Sequence, residues 1–224
     1  MHDDFLSIIT TRHCKRVFLD TPVPRNTLET VLRAAAHAPS TRNNQPWQVA
    51  VLTGAARDRL AHALCEAFDG GLPPRMDYVN RLEPVPPAAQ ARAQSAASGV
   101  FRAKGITRED EVARRAHQRD NLQFYGAPVA LIFHLDAKAT PGTFLEMGFF
   151  LQNVMLGLVA SGLASCPQSS VAGYGDLIRG HLGFGPERLI VCGMSVGFPD
   201  EQRPLNRFIP ERLPLEEYTQ WFDH

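Results

Sequence analysis

Apolar residues recur at helical spacing near the start of the chain, where Phe5, Ile8 and Ile9 share one face of a short amphipathic helix over 4–11. Pro24 suits the first turn of a second helix. Leu28, Val31, Leu32 and Ala35 follow on one stripe, and Pro39 stops it. A polar loop over 40–46 leads into a strand over 47–52, closed by Gly54. A helix over 57–68 comes next. The stretch 69–105 is rich in Pro, Gly, Ala and Arg and has weak periodicity, so it reads as a lid, an excursion or a mobile segment. A charged helix spans 108–123, and Gly126-Ala127-Pro128 turns into a buried strand over 129–134. The longest apolar helix covers 143–162 and stops at Gly162. A short helix over 174–182 stops at Gly183, and a second strongly apolar strand covers 189–196. The Pro- and Arg-rich tail, 200–224, ends in a short amphipathic helix. It is too polar to pack alone and is expected to lie on another surface, such as a second subunit. Few strands among many helices predict an α+β fold, a small sheet with helices packed on it.

Length and composition narrow the class. The 224 residues allow one large domain or two small ones, and 44% hydrophobic with 21% charged residues is ordinary for a globular chain. A formal net charge of +0 argues against non-specific nucleic-acid binding, while leaving room for a local phosphate pocket. The apolar run 147–166 is broken by Gln152 and Asn153 and reads as a core helix rather than a membrane span. The first residues lack the pattern of a signal peptide. Cys14, Cys65, Cys166 and Cys192 are scattered, which indicates neither a zinc site nor a disulfide framework, so a reducing cytoplasm is expected.

Several motifs can be set aside. Gly193-Met194-Ser195-Val196-Gly197 fits the nucleophile elbow of serine hydrolases, but Phe198-Pro199 cannot begin the helix that an elbow requires. The only later histidine is His224. The glycines read instead as places where a strand passes close to a neighbour. Gly173/Gly175 and Gly183/Gly185 do not complete a dinucleotide fingerprint. No histidine pair has metal-ligand spacing, and His37, His62, His117 and His181 read as surface residues.

Two segments remain. Arg12-His13-Cys14-Lys15-Arg16 is either a solvated basic turn or a phosphate site in which arginine forks grip oxygens. Ala38-Pro39-Ser40-Thr41-Arg42-Asn43-Asn44-Gln45-Pro46-Trp47 is a polar loop. Its Ser40, Asn43 and Gln45 can exchange hydrogen bonds with a polar heterocycle, or Ser40 and Asn43 can cap the turn. Together the segments resemble the nitroreductase family, which carries Arg-Arg/His-Ser-x-Arg/Lys and then Pro-Ser-x-x-Asn-x-Gln-Pro-Trp. Cys14 stands where that family usually has serine. Gly162 to Gln168, Leu182 to Pro186, Gly193 to Pro199, Asn206-Arg207 and Arg212 to Glu217 extend the resemblance over nearly the whole chain outside 69–107.

The resemblance implies one domain over 1–224 and a nitroreductase-like fold with a small, mostly antiparallel sheet. It also implies an intertwined homodimer that exchanges its C-terminal arm and holds FMN at the subunit interface. Arg12 and Arg16, helped by Arg212, would grip the phosphate and ribityl end, with His13 and Cys14 along the same chain. Pro39, Ser40, Asn43 and Gln45 would come from the other subunit. Asn121 would meet the pyrimidine edge, and the backbone near Pro167, Gln168, Ser169 and Ser170 would face N5 and O4. No metal and no catalytic side chain is implied. Hydride would pass from NADPH or NADH through the flavin to a nitroaromatic, quinone or similar acceptor by a ping-pong route. Other flavin reactions on this scaffold (reductive dehalogenation, enoate reduction, flavin cleavage) and non-catalytic flavin binding are the alternatives. Among the neighbouring side chains, Arg212 can instead pair with Glu216, Trp47 reads as core, and Tyr78, Phe101, Phe124 and Tyr125 can shape an acceptor pocket or fill the core.

Overall fold

The computed structural model describes residues 2–223, so Met1 and His224, the outermost residues of the two ends discussed above, lie outside the described residues. Its centre is a four-stranded sheet of β1 (Gln48–Thr53), β2 (Val129–Asp136), β3 (Ala164–Gln168) and β4 (Arg188–Gly197). Every pairing is antiparallel, in the order β1-β2-β4-β3. The fold is α+β. Helices α1 (His2–Thr11), α2 (Arg25–Ala35), α3 (Gly54–Asp69), α4 (Pro87–Lys104), α5 (Glu111–Leu122), α6 (Pro141–Ala160), α7 (Ser169–Ala172), α8 (Gly175–Leu182) and α9 (Pro204–Arg207) surround it.

β2 shows why the sheet is covered on both sides. From Val129 to Phe133 its even and odd positions are all apolar, so neither face can meet water without loss; His134 and Asp136 are its only polar residues. Val129, Leu131, Phe133 and Leu135 pack with α2 and α6, while Ala130 and Ile132 pack with α3, α5 and α8. A register shift after Phe133 leaves Val191 of β4 as an extra residue. On α6, Met147, Phe150, Val154 and Leu158 form the inward stripe. Gly157 lets α2 close on α6, since an added carbon there would sit 3.1 Å from Val31. The opposite face of α6 leaves Leu145 and Phe149 exposed. α6 is the one helix among the described residues with the length and apolarity to cross a membrane, and its inward stripe is core.

The structure differs from the sequence expectations in three elements. The stretch 69–105 contains α4, an 18-residue helix that begins with Pro87 and ends at left-handed Gly105. Its many alanines favour helix, but Val100 is its only buried residue, so no apolar stripe marks it. β3 was not expected at all. It is five residues long and contains Pro167, which an edge strand tolerates. The tail does not form its expected amphipathic helix. Beyond α9 the described tail forms a single tight turn at Leu215–Glu217, because Pro210 and Pro214 interrupt the segment.

The segment after α1 runs beside the ends of β3 and β4. Lys15 N–H donates to Ser165 O at 3.2 Å, Leu19 N–H to Phe198 O at 2.9 Å, and Asp200 N–H to Val17 O at 3.1 Å. These bonds bring the N-terminal cations, β3 and the start of the C-terminal arm together.

Candidate active site

Asn206, on α9, fixes the cationic segment. Its side chain is fully buried. Its Oδ1 accepts from the amides of Arg16 at 2.7 Å and Val17 at 3.2 Å, and its Nδ2 donates to Val17 O at 2.6 Å and Asp200 O at 3.0 Å. Its carbonyl lies 2.8 Å from His13 Nε2 and accepts from Lys15 Nζ at 2.9 Å. His13 Nδ1 is 2.8 Å from Thr11 O, and Lys15 pairs with Glu201 at 2.6 Å. His13 and Lys15 are therefore tethers between the arm and the N-terminal segment. Arg12 and Arg16 keep their guanidinium groups for other contacts.

Those groups line a cavity of about 240 Å³ together with His13, Cys14 and Arg212. Ala96, Ala97, Val100 and Phe101 of α4, His117 of α5, and Phe208 and Pro210 of the arm complete the wall. Sequence separation hid this convergence, and α4 supplies a wall that the pattern did not reveal. His117 is a correction: it is a half-buried wall residue packed edge-on against Phe101 at 5.4 Å, not a surface histidine. Burial, then the nearby Lys104 charge, holds its imidazole below the usual value. Among the described residues other than Asp223, no carboxylate forms an ion pair with Arg12, Arg16 or Arg212. Arg212 donates to the carbonyls of Pro210 at 3.0 Å and Glu211 at 3.3 Å, rather than bridging to Glu216.

A polar chain extends from the cavity into the sheet. Arg16 donates to the Tyr125 hydroxyl, which in turn donates to Asn121 Oδ1 at 2.7 Å. Burial raises the Tyr125 phenol well above its ordinary value, so it stays neutral. The Asn121 carbonyl accepts from Gln168 Nε2 at 2.5 Å, and Gln168 Oε1 accepts from Ser195 Oγ at 2.7 Å. Ser195 is thus fully buried inside β4 and satisfied there, with no turn around it, so the hydrolase reading fails. Gln168 is buried, while Pro167 is half-buried and Ser169 and Ser170 are exposed at the end of β3. Tyr125 and Phe124 both have positive φ, 52° and 54°. The strain, about 1–2 kcal/mol per residue, is held in place by the fully buried Phe124 ring.

Cys14 and Cys166 meet at the cavity edge. The Cys14 thiol is lowered from 9.0 to about 6, first by a hydrogen bond from Cys166 and then by Arg16 and Arg12, which together outweigh burial. Cys166 moves the opposite way, because it donates that bond and lies in the interior.

The loop from Pro39 to Gln45 lies elsewhere in this chain. It lines a separate, open cavity of about 550 Å³ with Ala36, His37 and Ala38, and shares no residue with the arginine cavity. Ser40 Oγ accepts from Gln45 N–H at 3.0 Å, so its hydroxyl does cap the turn. Thr41 N–H donates to Glu146 at 2.7 Å, and Trp47 stacks on Phe150 at 5.0 Å as a core residue. Arg42, Asn43 and Gln45 have φ of 54°, 58° and 47°, a run of left-handed non-glycine residues that only strong anchoring sustains. The loop's outward face, with Asn43 and Gln45 exposed, is left for another molecule. Of the aromatics named from sequence, Phe124 and Tyr78 are structural. Tyr78 donates to Val191 O at 2.7 Å, whereas Phe101 lines the cavity.

A larger cavity of about 720 Å³ lies between α2 and the free edge of β1, away from these residues. Arg25 pairs there with Glu29 at 2.8 Å and Arg57 with Asp58 at 2.7 Å, and the remaining charge is the acid Asp20, so no cationic cluster marks it as the chemical centre.

Comparison with known proteins points the same way as the geometry. The model of the nitroreductase family matches residues 9–198. A chloronitrobenzene nitroreductase of Comamonas testosteroni is 36% identical over 215 residues, which is 95% of this chain and 94% of the relative. Nitroreductase NfnB of Mycolicibacterium smegmatis is 35% identical over 218 residues, 96% of this chain and 91% of the relative. Among solved structures, the FMN and NADPH-dependent nitroreductase NfnB from Sphigopyxis sp. strain HMH superimposes with a TM-score of 0.95 at 32% identity. The match covers 98% of this chain and 99% of that one.

Proposed function

The chain belongs to the nitroreductase family, and on that premise we propose that it is an FMN-dependent oxidoreductase that passes electrons from NADPH or NADH to nitroaromatics, quinones or similar electron-poor small molecules. The observation that carries this reading is the convergence of Arg12, Arg16 and Arg212 on one cavity. Three guanidinium forks facing one space fit a phosphate monoester, whose charge and oxygens they can satisfy together.

When bound, FMN would supply the hydride-transfer chemistry between nicotinamide and acceptor. The protein supplies placement. Arg12, Arg16 and Arg212 would hold the phosphate, with His13 and Cys14 beside them. Asn121 and the backbone from Pro167 to Ser170 would border the ring. The polar chain through Tyr125 and Gln168 keeps Arg16 and Asn121 from shifting independently. Donor and acceptor would use one place in turn, which makes the kinetics ping-pong. Arg102, Arg108 and Arg114 line the adjoining cleft, and there they could meet the phosphates of the dinucleotide donor.

A volume of about 240 Å³ is smaller than the ~300–1,000 Å³ of pockets that enclose a whole small ligand. The remainder of the flavin would be covered by a second protomer, whose Pro39, Ser40, Asn43 and Gln45 face outward on a rigid loop. A homodimer would also bury Phe5, Leu6 and Ile9 of α1, Leu145 and Phe149 of α6, and Trp221 and Phe222 of the arm, which are 78% and 83% exposed in the single chain. The arm would be the exchanged element. Four unpaired cysteines suit the reducing cytoplasm.

The test is the visible spectrum of the purified protein. FMN should bind one per chain, bleach with NADPH under nitrogen, and regain its colour when a nitroarene is added. If no FMN binds, or if Arg12→Ala/Arg16→Ala binds it as the parent does, the site assignment is lost. Bound FMN that NAD(P)H cannot bleach would reduce the protein to a flavin carrier.

A further inference from the structure

The proposed flavin site places Cys14 beside the phosphate but leaves its contact with a second thiol, Cys166 of β3, without a role. Cys14 is half-buried and lines the arginine cavity, so small solutes reach it. Cys166 is buried, 2% exposed, on the inner side of β3. Each thiol shifts the other's ionisation, as neighbouring side chains do, and Cys166 Sγ also lies 3.8 Å from Pro167 O. The bond from Lys15 N–H to Ser165 O, 3.2 Å, clamps the two backbones one residue away from each cysteine. The other two thiols, Cys65 and Cys192, are buried in the two core clusters, apart from this pair.

We propose that Cys14 and Cys166 form a peroxide-oxidisable dithiol that closes as a disulfide between the N-terminal cationic segment and β3. Cys14 is the attacking sulfur, because it alone combines access with neighbouring cations, Arg12 and Arg16, and with a thiol donor that favours its thiolate. In the first step the Cys14 thiolate attacks one oxygen of hydrogen peroxide. An S–O bond forms, the O–O bond breaks, and the departing hydroxide takes up a proton. Cys14 is now a sulfenic acid. In the second step Cys166, its proton passing to the leaving oxygen, attacks the Cys14 sulfur. The S–S bond forms, the S–O bond breaks, and water leaves. The two thiols lose two electrons and two protons in all, and one peroxide becomes two waters. A thiol reductant reverses the change by exchange.

The pair has the division of labour that such chemistry needs. One sulfur is reachable and ionised. The other is enclosed, protonated and in contact, so it resolves the sulfenic acid before further oxidation. This inference does not rest on flavin binding, since it follows from contacts within one chain.

The test treats the reduced, purified full-length protein with an equimolar amount of hydrogen peroxide, denatures it, alkylates the remaining thiols and maps the peptides by mass. The expected product is a Cys14–Cys166 linked peptide within one chain, 2 Da lighter than the two thiol peptides together by loss of two hydrogens, and reversed by dithiothreitol. Cys65 and Cys192 should remain alkylated. Cys14→Ser should leave Cys166 fully alkylatable, and Cys166→Ser should let a dimedone-type reagent trap Cys14 as the sulfenic acid. Free Cys166 beside over-oxidised Cys14 in the unaltered protein, or a link only between chains, would overturn the proposal. So would four thiols still alkylatable after peroxide. The unaltered protein decides the matter even if a variant does not fold.

Discussion

Replacing Asn206 with alanine should destabilise the protein by about 3–5 kcal/mol and release flavin, although Asn206 touches no ligand in the proposed site. Its side chain makes four hydrogen bonds of 2.6–3.2 Å from a fully buried position. Alanine would leave the amides of Arg16 and Val17 without their acceptor, while the Val17 and Asp200 carbonyls each keep one backbone donor. An orphaned buried group costs about 1–3 kcal/mol, and the half-buried backbone of Arg16 and Val17 lets water recover part of it. The loss is a large share of a domain's ~5–15 kcal/mol. Urea denaturation would read it as a lower midpoint at unchanged slope. Asn206→Asp keeps both acceptor contacts to the amides of Arg16 and Val17 but sets a carboxylate against the Val17 and Asp200 carbonyls. It should lie between the parent and alanine in stability. Flavin affinity should follow the same order, because the Arg16 backbone is held by this one side chain. An alanine variant within about 1 kcal/mol of the parent and retaining full flavin would refute the view that Asn206 positions the cationic segment.

Arg16→Ala should weaken FMN binding by about one to two orders of magnitude, as expected for a charged hydrogen bond, with fluorescence titration as the measure. Gly197→Ala places a carbon 2.8 Å from Pro128 and 3.1 Å from Phe18 in the interior, so thermal unfolding should show a loss of about 1–3 kcal/mol. Alkylation of Cys14 by iodoacetamide in the flavin-free protein should titrate near pH 6, falling about tenfold from pH 7 to 5. The groups that set this are Cys166, Arg16 and Arg12. Since the folded thiol is depressed below its unfolded value of 9.0, its stabilising contribution is complete above pH 9 and lost as pH falls through about 6. An alkylation midpoint near 9 would show that those neighbours do not favour the thiolate.

What the sequence disclosed follows from where apolar residues had to go. α2, α6, β2 and β4 each bury a continuous stripe or run, and each was legible to within a few residues. α4 buries only Val100, so its helix rests on alanine content and on contact with the arm, where Gly99 accommodates the Phe208 ring. That gap mattered, because α4 walls the cavity. Arg12 and Arg16 stood out as a local cluster, but nothing local places Arg212 beside them; the family resemblance suggested it and packing shows the means. Asn206 entered only through the resemblance of Asn206-Arg207 and Tyr125 only as a pocket or core candidate, since their contacts with the Arg16–Val17 segment lie far away in the chain. Ser195 is the sharpest case. Its motif is a local pattern, yet its hydroxyl ends a chain running through Gln168, Asn121 and Tyr125 to Arg16. The same glycines that suggest a hydrolase elbow serve close packing here, Gly193 against Val171 and Gly197 against Pro128 and Phe18. A motif built from small residues around a hydroxyl therefore specifies a tight, polar-lined strand, and only the turn that follows decides whether that hydroxyl becomes a nucleophile or a structural donor.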